Sequence, residues 1–145
     1  MTIRELHERL QQAWSEIEDL KRRAVMENEA AIVDLNRKQM EAGQTSGGEL
    51  IEPDLALFHY AREKKQRGGR APFGVPDLKN TGAFHAGMIM EVDGDSYYIG
   101  STDEKEPDLT AKYKDIWGLT KENQAKAQEL TTQSLSKIWR QAAGL

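Results

Sequence analysis

No cysteine occurs anywhere in the 145 residues. The chain therefore has no disulfide framework, no thiolate for a metal and no cysteine nucleophile, and zinc fingers are excluded with them. Long apolar runs are missing as well. The amino terminus is charged from Arg4 onward and no stretch approaches the length needed to cross a bilayer, so neither a signal peptide nor a spanning helix is expected. There is no excess of positive charge: 20 Lys and Arg stand against 24 Asp and Glu, a net charge of −4. That balance removes the global field of a dedicated nucleic-acid binder and leaves room only for a local basic patch.

Catalytic signatures are equally scarce. Ser15, Ser46, Ser96, Ser101, Ser134 and Ser136 lack a G-x-S-x-G context, Gly68-Gly69-Arg70 is not a phosphate loop, and no G-x-G-x-x-G follows a strand. His7, His59 and His85 are far apart, without the H-x-x-x-H spacing of a metal site. Asp93 to Glu104 carries acids at the first, third and twelfth positions of a calcium loop. Tyr98 stands where that loop requires Gly and Tyr97 where it requires a side-chain oxygen, so a turn between strands is the reading. No enzyme, cofactor, metal or small-molecule substrate is expected.

What is present is periodicity. Ile3, Leu6, Leu10, Ala13/Trp14, Ile17, Leu20 and Ala24 recur every three or four residues, which places them on one helical face. The pattern runs on through Ile32, Leu35 and Gln39 with neither Pro nor Gly before Gly43, although Met26-Glu27-Asn28-Glu29 dilutes it; one kinked helix or two abutting helices are predicted. Gly43 to Gly48 is expected as a turn or flexible loop, and Glu49-Leu50-Ile51 before Pro53 as a short edge strand. Residues 55 to 67 read as a short helix running into a mobile basic loop closed by Pro72 and Pro76. Met88 to Val92 and Ser96 to Gly100 flank Asp93-Gly94-Asp95, which is a hairpin signal, with Met88, Met90 and Val92 on one face. Pro107 is assigned to the loop that follows, with a brief helical turn between Asp108 and Trp117. Thr120 then caps a last helix carrying Ala127, Leu130, Leu135, Ile138 and Trp139. Together these elements describe a single α+β domain, residues 1–145, with flexible loops near 43–48 and 62–76.

Two surfaces are candidates for contact. Arg62, Lys64, Lys65, Arg67 and Arg70, offset only by Glu63, form a basic segment able to meet phosphates or an acidic neighbouring subunit. The first helix carries an apolar stripe, Leu6, Leu10, Trp14 and Ile17, that is long for a small domain. Either it packs lengthwise on the hairpin, or part of it is buried only in an oligomer.

Pro76-Asp77-Leu78-Lys79-Asn80-Thr81-Gly82-Ala83-Phe84-His85-Ala86-Gly87-Met88, the hairpin ending Tyr97-Tyr98-Ile99-Gly100-Ser101-Thr102-Asp103, and Tyr113-Lys114-Asp115-Ile116-Trp117-Gly118-Leu119-Thr120-Lys121-Glu122-Asn123 resemble small structural proteins of tailed bacteriophages. In those, a Leu-x-x-Thr-Gly-x-Phe/Leu element precedes a hairpin, and Ile-Phe-Gly-Leu-Thr-x-Glu-Asn precedes the last helix; Trp117 stands where Phe is usual. Glu27 to Gln39 resembles the form found in phages and prophages of gut bacteria. More distantly, the chain is similar to head–tail joining and tail-completion proteins. The resemblance implies a long N-terminal amphipathic helix and a C-terminal helix packed on a small antiparallel sheet. It also implies a non-catalytic ring subunit in the virion neck or tail, assembled in the host cytoplasm from copies of itself with portal, adaptor or tail-tube proteins. The basic segment would face packaged DNA in the channel, and the loops near 43–48 and 62–75 would order on assembly. The competing expectation is a DNA-contacting accessory protein acting through Arg62 to Arg70.

Overall fold

Thr2 opens the first helix with a reciprocal cap. Its Oγ1 accepts the Glu5 N–H at 3.1 Å, and Glu5 Oε2 accepts the Thr2 N–H at 2.7 Å. These bonds hold the Glu5 carboxyl below its usual range. A computed structural model describes residues 1–52, 70–72, 75–78 and 82–145. From Thr2 the chain runs through α1 (Ile3–Ser15), α2 (Ile17–Glu27) and α3 (Glu29–Glu41). The ladder resumes after each break, with Leu20 N–H on the Glu16 carbonyl at 3.0 Å and Ile32 N–H on that of Asn28 at 2.9 Å. One rod with two breaks thus replaces the expected one or two helices.

Both breaks have side-chain causes. Ser15 Oγ donates to the Gln12 carbonyl at 2.6 Å, and the Glu16 N–H is left shared between the Gln12 and Ala13 oxygens at 3.3 Å each. Asn28 Nδ2 donates to the Ala24 carbonyl at 2.8 Å, so the Asn28 N–H falls back on Val25 at 3.0 Å. Short polar side chains that take backbone carbonyls bend helices in this way.

Gly43, with φ +72°, ends α3. Its N–H donates to the Met40 carbonyl at 2.8 Å while Gln44 N–H reaches back to Gln39 at 2.8 Å, closing the helix in a Schellman motif. Of the two forms expected for 43–48, the turn is found. Thr45 N–H donates to the Glu49 carbonyl at 2.7 Å, Ile51 N–H to Gly43 at 2.7 Å and Ser46 N–H to Asp115 at 2.7 Å. The expected edge strand contracts to one antiparallel bridge, Gln44 with Leu50. A Cβ on Gly43 would meet Val75 Cγ1 at 2.5 Å. Gly43→Ala is accordingly expected to cost about 2 kcal/mol, from the left-handed backbone and the displaced Val75 together, read as a fall in the urea midpoint with unchanged slope.

The one-turn helix α4 (Ala83–Ala86) leads into the hairpin, β1 (Met88–Asp93) and β2 (Ser96–Ser101), paired from Met88 with Ser101 to Asp93 with Ser96. Its two-residue turn is Gly94-Asp95, and only Gly94 has positive φ, +57°. Gly as the first turn residue, rather than the Asp93-Gly94 pair, closes the loop. Met88, Met90 and Ile99 are buried and Val92 and Tyr97 half-buried on the inner face, as the alternation predicts. Pro107 lies in the first turn of α5 (Glu106–Lys112) rather than in a loop. A missing N–H costs nothing there. Thr120 caps the long α6 (Lys121–Ala142), its Oγ1 accepting the Asn123 N–H at 3.2 Å.

The α+β reading holds: helices pack on a small antiparallel sheet. The main core joins Ile32, Val33 and Met40 of α3 to Phe84, the inner hairpin face, and Tyr113, Ile116 and Leu119. Trp117 lies 5.5 Å from the Phe84 ring and satisfies its Nε1–H on Thr110 Oγ1 at 2.9 Å. A second cluster, Leu20, Ala24 and Ile138 with Leu135 and Trp139, joins α2 to an antiparallel α6. Asn28 Nδ2 reaches Ser134 Oγ at 2.8 Å between the two clusters. No helix among the described residues is long and apolar enough to cross a membrane.

Candidate subunit contact surface

α1 meets α2 and the end of α6. Gly144, φ +72°, closes α6 with a second Schellman pair, Gly144 N–H to Gln141 at 3.1 Å and Leu145 N–H to Arg140 at 2.8 Å. A Cβ on Gly144 would meet Arg9 Nη1 at 2.5 Å, so the Arg9 guanidinium lies against the end of α6.

The apolar stripe is unevenly covered. Ala13, Leu20 and Ala24 are buried, Leu6, Leu10 and Ile17 are half-buried, and Ile3 is 89% exposed. Leu6, Leu10 and Ile17 share the face of Ala13. Trp14, one position round the helix, stands 68% exposed. Of the two expected dispositions the hairpin is not what α1 covers: β1 packs against α3, and α1 meets α2 and the end of α6. The stripe is spaced 3-4-3-4 throughout, the pattern of a helix meeting another helix, and its second half has that partner.

The basic segment is reached only in part. Arg62, Lys64, Lys65 and Arg67 lie outside the described residues, as does His59 and the expected helix at 55 to 67. Arg70 is exposed, with Nη1 3.9 Å from Glu41 Oε2, a solvent-screened pair that stabilises little. His7 is exposed on α1. His85 is 3% exposed, with Nε2 2.9 Å from the Asp77 carbonyl, and its own carbonyl accepts from Arg37 Nε at 3.1 Å. Among the described residues no three His, Asp or Glu side chains gather as a metal site would require.

Sequence reasoning missed a polar clamp in the core. Asn36 is fully buried on α3; its Nδ2 donates to the Ile116 carbonyl at 3.0 Å and its Oδ1 accepts the Gly118 N–H at 3.1 Å. One turn on, Gln39 Nε2 donates to the Gly118 carbonyl at 3.0 Å, and its Oε1 accepts the Thr120 N–H at 3.0 Å and Asn123 Nδ2 at 2.5 Å. The two amides hold 116–120 much as a neighbouring strand would. The signal available was two amides on the face that also carries Ile32, Val33 and Met40, where apolar residues are expected.

No family model, no curated protein and no solved structure matches the chain.

Proposed function

We propose that the chain is a non-catalytic structural subunit of a tailed-phage virion, one copy in a ring at the neck or tail end that joins or completes the tail. Its partners are further copies of itself and the portal, adaptor or tail-tube protein. The observation that carries the reading is the apolar seam of α1, buried at Ala13, only half-buried at Leu6 and Leu10, and exposed at Ile3. The phage-like run from Tyr113 to Asn123 supports the same assignment. Ring subunits meet through two different surfaces on each copy, and a partly open apolar helix face is suited to meet a neighbour in that head-to-tail manner.

The test is the mass of the purified protein by light scattering over a wide concentration range, alone and with the portal or tail-tube protein. A ring, or a monomer that closes into a ring only with its partner, is expected. Leu6→Glu with Leu10→Glu should keep the helical fold, confirmed by circular dichroism, and weaken that association by about a hundredfold or more, since each desolvated carboxylate costs on the order of 2 kcal/mol. A protein that remains monomeric with every partner overturns the proposal.

A further inference from the structure

α1 is tied to the rest of the chain more loosely than the helices that follow it. Among the described residues, every side-chain hydrogen bond and ion pair of this helix stays between Thr2 and Ser15. They are the reciprocal Thr2–Glu5 cap, Arg4 Nε on Glu8 Oε1 at 3.3 Å, and Ser15 Oγ on the Gln12 carbonyl. The rod beyond is held from outside. At the α2–α3 break Asn28 Nδ2 reaches the Leu130 carbonyl at 3.4 Å and Ser134 Oγ at 2.8 Å, while Asn36, Arg37 and Gln39 of α3 bond to Ile116, His85 and Gly118.

Packing repeats the contrast. Of the thirteen residues of α1 only Ala13 is buried, and its side chain is a single methyl, whereas α2 buries Leu20 and Ala24 against Ile138. Leu6 and Leu10 add half-covered isobutyl groups. The covalent link to α2 runs through the interrupted stretch at Ser15-Glu16, where the Glu16 N–H is shared between two carbonyls at 3.3 Å each. α1 can therefore leave the body without breaking one side-chain hydrogen bond. What opposes it is the partial cover of Leu6, Leu10 and Ala13, and few buried apolar contacts mark the parts of a fold that open first.

We propose that α1 is a hinged helix, which swings away from α6 as an intact unit about Ser15-Glu16 and uncovers the whole face of Leu6, Leu10 and Ala13 while α2, α3 and the hairpin stay in place. Two features keep it helical when it is open. The Thr2–Glu5 cap satisfies donors at its amino end from within the helix, and α2 continues the rod on the other side of the break, so no new nucleus has to form. The hinge is a property of the free chain and does not rest on the ring reading. Its consequence for a ring is that the opened helix presents more of its seam to a neighbour than the closed one.

The chain has no cysteine, so spin labels can be placed in pairs at exposed positions of the full-length protein. Gln11→Cys with Lys137→Cys reports α1 against α6, and Arg23→Cys with Lys137→Cys reports α2 against the same site. Each labelled protein is diluted with unlabelled chain so that only distances within one copy count. The α1 pair should show a second, longer distance in a minority of molecules, and the α2 pair a single narrow one. Adding Leu10→Ala should raise the ratio of long to short distances about tenfold, because it removes most of the side chain that α6 half covers, while alanine favours the helix and the circular dichroism stays as it was. The α2 pair, unchanged in that variant, shows that the body is still folded. A single α1 distance as narrow as the α2 distance, with and without Leu10→Ala, overturns the proposal. So does a long distance that appears together with a loss of helical signal, which would mean that α1 melts rather than swings.

Discussion

Asn36→Leu is expected to lower the unfolding free energy by about 3 to 4 kcal/mol, although leucine is close in volume and more apolar. Asn36 has no exposed surface, and each end of its amide holds a backbone group of the segment before α6. The substitution leaves the Gly118 N–H and the Ile116 carbonyl without their partner, at roughly 1 to 3 kcal/mol for each group left unsatisfied. Burial of the leucine methyls offsets part of this, at about 25 cal/mol per Å². Gln39→Leu should cost a similar amount, since Gly118 and Thr120 lose partners and Asn123 loses its acceptor. The double variant should fall short of the sum of the singles by about 1 kcal/mol, because a segment already released by one change has less to lose from the other. Chemical denaturation measures all three. A loss below about 1 kcal/mol for either single variant would mean that water replaces the amide without penalty and the segment stands without the clamp.

The clamp also marks where sequence reading stops. Local signals were legible because their causes are local: the seam on α1, the turn at Gly94, the Thr120 cap and the alternation of Met88, Met90 and Val92 each depend on residues within a few positions. Asn36 acts across 80 residues of chain to Ile116, and Gln39 across 79 to Gly118. No spacing rule anticipates a partner at that distance. The helix breaks belong to the same class of difficulty. Ser15 and Asn28 are ordinary surface residues in a helical pattern until their side chains take the Gln12 and Ala24 carbonyls. The candidate contact surface was half legible. The stripe of Leu6, Leu10 and Ile17 follows from periodicity, but which part the chain covers depends on the packing of α6, whose residues lie far away in sequence. Pro107 was misplaced for a simpler reason: proline is compatible with a loop and with the first turn of a helix alike, and only the following residues decide.

Leu20→Ala should produce a loss of similar size, about 3 kcal/mol, but in a different place. Leu20 is 1% exposed and packs with Ala24 and Ile138 in the cluster that joins α2 to α6, apart from the core under the hairpin. Deleting a buried isobutyl group costs roughly 2 to 5 kcal/mol, and the cost rises when the neighbours cannot close the cavity. Two of those neighbours are poorly placed to do so. Ala24 has no side chain to extend, and Ile138 is branched at Cβ with restricted rotamers. Amide exchange should therefore show α1, α2 and the last turns of α6 opening more readily, while β1, β2 and the 116–120 segment keep their protection, as expected where the two clusters act as separate cooperative units. The consequence reaches the contact surface. Leu20 lies two turns along the rod from Ala13, in the α2–α6 packing against which α1 rests. Association through α1 should weaken in Leu20→Ala even though every contacting side chain is retained, and an excess of the wild-type partner should raise occupancy and α1 protection by mass action while the weakened affinity stays as it is. Equal loosening of the hairpin and the helical arm would instead mean that the two clusters unfold as one, and that the arm is held by the main core through α3.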